Sequence, residues 1–133
     1  MKTRSNQSVA IIDDDPIYQF AAKRFLQLSG LAGDIKQFMS ADSALEFFEA
    51  NRNIKNELPD IILLDINMPV TDGWMFLDSF KQLKGTLSKE IQIHMVTSSI
   101  DSRDIARSKT YSDVKSFVSK PMEMEVIKEI LSA

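Results

Sequence analysis

The 133-residue sequence contains no cysteine, one histidine, one tryptophan, four glycines and four prolines. Without cysteine there is no disulfide framework and no thiolate metal site, which suits a reducing compartment. A lone histidine, His94, argues against a transition-metal centre built on imidazole. No stretch approaches the roughly 18 apolar residues that a membrane span needs. The polar residues 1–8 have no apolar segment behind them of the kind a secretory signal carries. Positive charge is also short: 16 Lys and Arg stand against 19 Asp and Glu, a formal net charge of −3. The basic residues are scattered and form no stripe of the sort that nucleic-acid binding runs on. There is no internal repeat, low-complexity tract or linker. The expectation is a soluble, cytoplasmic protein with no nucleic-acid or membrane partner. Its length is the commonest for one domain, so 1–133 reads as a single domain with a core at about 8–131.

What is present alternates. Val9-Ala10-Ile11-Ile12 is a short apolar run that stops at three aspartates, the pattern of a strand buried on both faces. Asp15 is a good N-cap and Pro16 suits the first helical position, so a helix is expected from there to Ser29-Gly30. Ile17, Phe20, Ala21, Phe25 and Leu28 recur along it at helical spacing. A weaker strand is expected at 34–38, followed by a helix capped by Ser40 or Asp42 with Ala44, Leu45, Phe47 and Phe48 as its apolar face. Residues 51–58 read as loop or frayed helix end. Ile61-Ile62-Leu63-Leu64 is the most convincing strand and stops at Asp65. After loop chemistry at 68–73, Trp74, Phe76, Leu77, Phe80 and Leu83 mark a third helix closed by Gly85. A strand at 91–96 stops at Thr97, and Asp101 with Asp104 forms a capping pair for a fourth helix. A short strand at 116–118 stops at Lys120-Pro121. Val126, Ile127, Ile130 and Leu131 then supply the apolar face of a last helix. Strand followed by helix, five times over, predicts an α/β fold: a parallel sheet with helices on both faces and right-handed crossovers.

The polar residues fall in a revealing place. Asp13, Asp14, Asp65, Thr97 and Lys120 all lie at or just past the carboxyl ends of predicted strands, where open α/β sheets bind their ligands. Three carboxylates brought together repel, and at least one has its pKa raised unless a cation intervenes. Mg²⁺, typically held by one or two carboxylates with waters and phosphate oxygens, answers that need. A carboxylate is also a nucleophile toward phosphorus. Phosphoryl transfer is catalysed mostly by positioning and charge neutralisation, and Mg²⁺, the Lys120 ammonium and the Thr97 hydroxyl can each serve one phosphoryl oxygen. Read singly, each residue has a plainer explanation: a solvated turn at 13–15, a loop acid at Asp65, a surface lysine at Lys120, a strand threonine at Thr97. Trp74 and His94 read as packing residues.

Four segments carry a family resemblance. Ile11-Ile12-Asp13-Asp14-Asp15-Pro16, Leu63-Leu64-Asp65-Ile66-Asn67-Met68-Pro69 with Asp72-Gly73, Met95-Val96-Thr97-Ser98 and Phe117-Val118-Ser119-Lys120-Pro121 resemble the signature segments of response-regulator receiver domains of two-component signalling. The likeness is to a chemotaxis-regulator-like, apparently stand-alone receiver. It implies a doubly wound, flavodoxin-like sheet of five parallel strands in the order 2-1-3-4-5 with five helices. It further implies Asp65 as phosphoacceptor, and Mg²⁺ held by Asp14 directly, by Asp13 mainly through water, by Asp65, and by the backbone carbonyl of Asn67. Thr97 would contact the phosphoryl group, Lys120 would pair with it, and Phe117 would turn inward as Thr97 moves. A cis peptide is implied before Pro121. Asn67 and Ser99 would flank the site and leave water enough access to make the aspartyl phosphate transient.

The expected partners are a histidine kinase or histidine phosphotransfer protein and an unknown downstream protein bound by helix 4, strand 5 and helix 5, about residues 102–131. The oligomeric expectation is a monomer or weak dimer, and the protein is expected to act as a switch rather than an enzyme. Two alternatives stand beside this. One is a binding-only receiver that is never phosphorylated, which the intact Asp14, Asp65, Thr97 and Lys120 oppose. The other is an aspartyl-phosphate phosphohydrolase, which needs an acid two residues after its nucleophile where this chain has Asn67. One departure from the family pattern is that Tyr111-Ser112-Asp113-Val114 replaces the Gly-Ala pair common before the fifth strand. That leaves the length of the fourth helix and the following loop open.

Overall fold

The computed structural model describes residues 6–98 and 101–132. Its elements run β1 Gln7–Ile12, α1 Pro16–Ser29, β2 Ala32–Phe38, α2 Ala41–Ala50, β3 Ile61–Asp65, α3 Gly73–Leu83, β4 Gln92–Thr97, α4 Ser102–Ser108, β5 Val114–Ser119 and α5 Met124–Ser132. Single 3-10 turns, Lys55–Glu57 and Lys84–Thr86, follow α2 and α3. The strands form one sheet in the order β2-β1-β3-β4-β5, all parallel. Burial follows that order. Every residue of central β3 is buried, while the edge strands β2 and β5 alternate or stay half-exposed, as expected of a sheet covered on both sides.

Successive strand residues point to opposite faces, and two cores result. On one face Ala10, Ile12, Ile62, Leu64, Ile93 and Met95 pack against Phe48 of α2 and Phe76, Leu77 and Phe80 of α3. On the other, Val9, Ile11, Ile61, Leu63 and Val96 pack against Leu26 of α1 and Ile127, Ile130 and Leu131 of α5. The caps expected at Asp15, Ser40 and Asp101 each accept a backbone N–H at the start of α1, α2 and α4, and Asp72, read from the sequence only as loop, does the same for α3.

Helix α1 contains a surprise. The stripe that marks it as a helix is not the face it buries. Ile17 is 79% exposed, Phe20 77% and Leu28 59%, whereas Gln19, Ala22 and Leu26 face the sheet. Both stripes have helical period, and the sheet accepts the slimmer one. Gln19 is drawn in because its side-chain amide donates to the carbonyls of Ile11, Asp13 and Phe38, stitching the ends of β1 and β2 together.

Two local features set the geometry around β3 and α4. A Cβ on Gly73, at the start of α3, would lie 2.6 Å from the Asp65 carbonyl oxygen. Glycine is what lets α3 begin flush against the end of β3. The open question at 107–116 resolves into a short α4 held by aromatics. Tyr111 packs on Trp74 at 5.8 Å and donates its hydroxyl to Asp78, and the Arg107 guanidinium lies 4.5 Å over the Trp74 ring. Trp74 is buried by this arrangement.

Candidate functional site

Register brings the site together. Ile12 pairs with Leu64, Asp65 with Val96, and Thr97 with Ser119. The residues just past those pairs are Asp13 and Lys120, so four strand ends finish in one row. The Lys120 N–H donates to the Thr97 carbonyl at 2.7 Å, which fixes the end of β5 against β4. The Lys120–Pro121 peptide is cis.

Asp13 is held at both oxygens. Oδ1 accepts the Asp15 N–H at 2.9 Å and Oδ2 accepts Lys120 Nζ at 2.6 Å. Lys120 also lies 3.4 Å from Asp65 Oδ1, so it contacts both Asp65 and Asp13, the latter 107 positions before it in sequence. Asp13, Thr97 and Asp65 are buried, whereas Asp14 is exposed at the mouth. Each of Asp13, Asp14 and Asp65 offers a carboxylate oxygen, and these lie within 4.8 Å of one another. Burial, then the charge of Asp13, pushes the Asp65 carboxyl up to about 6; the Lys120 ammonium works against them. Burial alone would depress Lys120, but Asp13 and Asp65 prevail and hold it above its ordinary value. Tyr18 of α1 lies beneath, with Lys120 Nζ 4.2 Å from its ring centroid. Burial, Asp13 and Asp65 drive its phenol well above its usual range.

The donor set suits a hard cation. Three carboxylates share one small space, the Lys120 ammonium partly offsets them, and the Asp65 carboxyl ionises less readily than an ordinary aspartate. A divalent ion with oxygen preference relieves that strain. Asn67 is exposed two positions beyond Asp65, on the loop that leads to α3. Phe117 is half-buried on β5, packed toward the α2–α3 side of the sheet with Tyr111 and Val114. Ser99 lies outside the described residues.

Residues 9–132 match the response regulator receiver domain family. The chain belongs to that family. The receiver is similar to a solved two component response regulator from Cytophaga hutchinsonii, with a TM-score of 0.88 and 29% identity over 97% of this chain and 96% of that one. It is 25% identical to the probable methanogenesis regulatory protein FilR2 of Methanothrix harundinacea, over 90% of this chain and 76% of that protein. It is 31% identical to the transcriptional regulatory protein PrrA of Mycobacterium leprae over 74% of this chain, but spans only 38% of PrrA. The sheet order and the five helices are those of receiver structures. Receivers are the signalling switches of two-component response regulators and typically bind Mg²⁺ in an acidic pocket. No helix among the described residues is long and apolar enough to cross a membrane.

Sequence reasoning passed over two residues that hold the site. Gln19 fastens the loop carrying Asp13, and Tyr18 lies against Lys120. The available signal was the second helical stripe of α1, Tyr18-Ala22-Leu26 with Gln19 beside it, which the bulkier outer stripe overshadowed.

Proposed function

We propose that this receiver takes a phosphoryl group from a phosphohistidine onto Asp65, with Mg²⁺ held by Asp13, Asp14, Asp65 and the Asn67 carbonyl. The observation that carries this is the convergence of Asp13, Asp14, Asp65 and Lys120 at one rim, with the Asp65 carboxyl pushed up to about 6. At neutral pH that carboxyl is mostly ionised, and its raised basicity makes it a better nucleophile than an ordinary aspartate. One Asp65 oxygen attacks phosphorus in line. The P–N bond breaks, and its electron pair leaves on the donor imidazole. Lys120 pairs with one phosphoryl oxygen and the Thr97 hydroxyl with a second, so that charge on the transferring group is met by fixed partners. Bound Mg²⁺ would neutralise the remaining phosphoryl charge and screen the three carboxylates from each other.

The exposed stripe of α1 supports the same reading. It begins at Pro16 and Ile17, beside Asp14 and Asp15, so a donor that brings its histidine to Asp65 lands on it. Lys23 and Arg24 flank Phe20 there, giving the stripe an apolar centre with a positive margin. The switch reading, in which Phe117 turns inward as Thr97 moves, is supported by the half-buried position of Phe117 on an edge strand. An accumulated charge beside Thr97 and Lys120 would bias that two-state element and, with it, partner binding on α4, β5 and α5.

The test is incubation with acetyl phosphate and Mg²⁺ followed by intact-mass measurement. The protein gains the mass of one phosphoryl group, and Asp65→Asn gains none. An unlabelled wild-type protein, or a labelled Asp65→Asn variant, defeats the assignment.

A further inference from the structure

We infer that Tyr18 is a positioning residue whose aromatic face seats the Lys120 ammonium at the rim while Asp65 is phosphorylated. The inference rests on the proposed role of Lys120 and extends it to a residue on a different element. Three observations carry it. Lys120 Nζ lies 4.2 Å from the Tyr18 ring centroid, well inside the range of a cation–π contact. Lys120 is largely shielded from water, its side chain 14% exposed, and desolvation strengthens such a contact. The Tyr18 hydroxyl, in contrast, is buried without a hydrogen-bond partner among the described residues. A buried hydroxyl without a partner normally costs stability. The residue is therefore placed here by its ring and not by its oxygen.

The geometry explains why a seat is needed. In this structure the shortest Lys120 contact is to Asp13 at 2.6 Å, and the one to Asp65 is longer, at 3.4 Å. Asp13 is also one of the carboxylates proposed to share a divalent ion. Once Asp13 is shared in that way, its hold on Lys120 weakens, and a long lysine side chain regains its rotamers. The Tyr18 ring offers no oxygen to a metal and keeps its position, because α1 is anchored by Gln19, Ala22 and Leu26 on the sheet. It keeps the ammonium within reach of a phosphoryl oxygen on Asp65.

The experiment compares acetyl phosphate labelling rates at saturating Mg²⁺ for the wild type, Tyr18→Phe, Tyr18→Leu, Lys120→Ala and the double variant Tyr18→Leu/Lys120→Ala. Tyr18→Phe keeps the ring and labels within about twofold of wild type; Tyr18→Leu labels roughly tenfold more slowly. The leucine change has no further effect in the Lys120→Ala background, because the two side chains act through one contact. A readout independent of labelling is the NMR position of the Lys120 Hε protons with Mg²⁺ present. They lie upfield of ordinary lysine in the wild type and in Tyr18→Phe, shifted by the ring current. Lys120 Hε resonances at ordinary positions in the wild type overturn the inference, and this holds even if Tyr18→Leu fails to fold. So does equal labelling by the phenylalanine and leucine variants, or a leucine effect undiminished without Lys120. If Lys120→Ala itself labels at the wild-type rate, the proposed role of Lys120 fails and the seat falls with it. If Lys120→Ala is slow and Tyr18→Leu is not, only the seat fails.

Discussion

Val70 shows how one residue can carry strain beside a site. It lies on the loop between Asp65 and α3, 88% exposed, with φ at 68°. The Thr71 N–H reaches back to the Pro69 carbonyl at 2.8 Å, so the turn closes around Val70. A β-branched side chain is poorly suited to positive φ, and no burial compensates at that exposure. Val70→Gly should therefore raise stability by about 1 kcal/mol, the gain from relieved strain exceeding the added chain entropy. Thermal denaturation checks this, and an unchanged or lower midpoint counts against strain at Val70. His94 is a second case. It is buried on β4, its Nδ1 is 2.6 Å from the Ser116 hydroxyl, and its Nε2 has no partner among the described residues. Burial, helped by the charge of Lys115, lowers its pKa from 6.5 to about 4. The unfolded chain takes up a proton near 6.5 that the folded protein refuses until about 4. Stability from this group is thus present above 6.5 and is lost as pH falls through that window, by on the order of 2–3 kcal/mol. Denaturant midpoints from pH 7 to 4 should fall for the wild type and fall less steeply for His94→Leu.

At the scale of elements, α1 has two working faces. The inner one, Gln19-Ala22-Leu26, anchors the helix, and the outer one, Ile17-Phe20-Phe25-Leu28, is available to a partner. Phe20→Glu tests the outer face. Surface changes away from packed features usually stay within about ±0.5 kcal/mol, so the melting temperature and acetyl phosphate labelling should be unaffected. Transfer from a phosphorylated histidine phosphotransfer domain should slow by roughly tenfold or more, since a buried charge replaces an apolar contact. Equal transfer rates would remove α1 from the docking surface. The sequence located this helix, its Asp15 cap and its Gly30 stop, because each is a local matter of φ, ψ and spacing. It could not say which stripe is buried. That depends on the surface offered by β1 and β2, and Gln19 is chosen by three carbonyls that come from two separate stretches of chain, the ends of β1 and β2. The short α4 is similar: its cap was readable at Asp101, but the Trp74–Tyr111–Arg107 packing that holds it needs α3 and the β5 approach in place.

For the molecule as a whole, the acidic rim is a local instability that the proposed Mg²⁺ would offset. The fold keeps the Asp65 carboxyl protonated to a higher pH than the unfolded chain does, so without metal its contribution to stability falls as pH rises from the ordinary 3.8 through about 6. Millimolar Mg²⁺ at pH 7 should raise the melting temperature. Binding at ten times the dissociation constant is worth about 1.4 kcal/mol, or ~3–6 °C for a domain of this size. Asp14→Asn should weaken that response and should melt no lower than wild type in chelator, because one repelling charge is gone. A Mg²⁺-independent midpoint in the wild type would mean that the carboxylates do not act as one site.

Sequence by itself determined the strand–helix alternation, the strand ends at which Asp13, Asp65, Thr97 and Lys120 stand, and the caps between them, since hydrophobic period and turn chemistry act over a few residues. Only the tertiary structure decided that Lys120 bridges Asp13 and Asp65 over the Tyr18 ring, that Asp65 is the carboxyl pushed upward, and which side of α1 meets solvent. Those properties come from burial and from distances between residues far apart in the chain, and the closing of the sheet sets both.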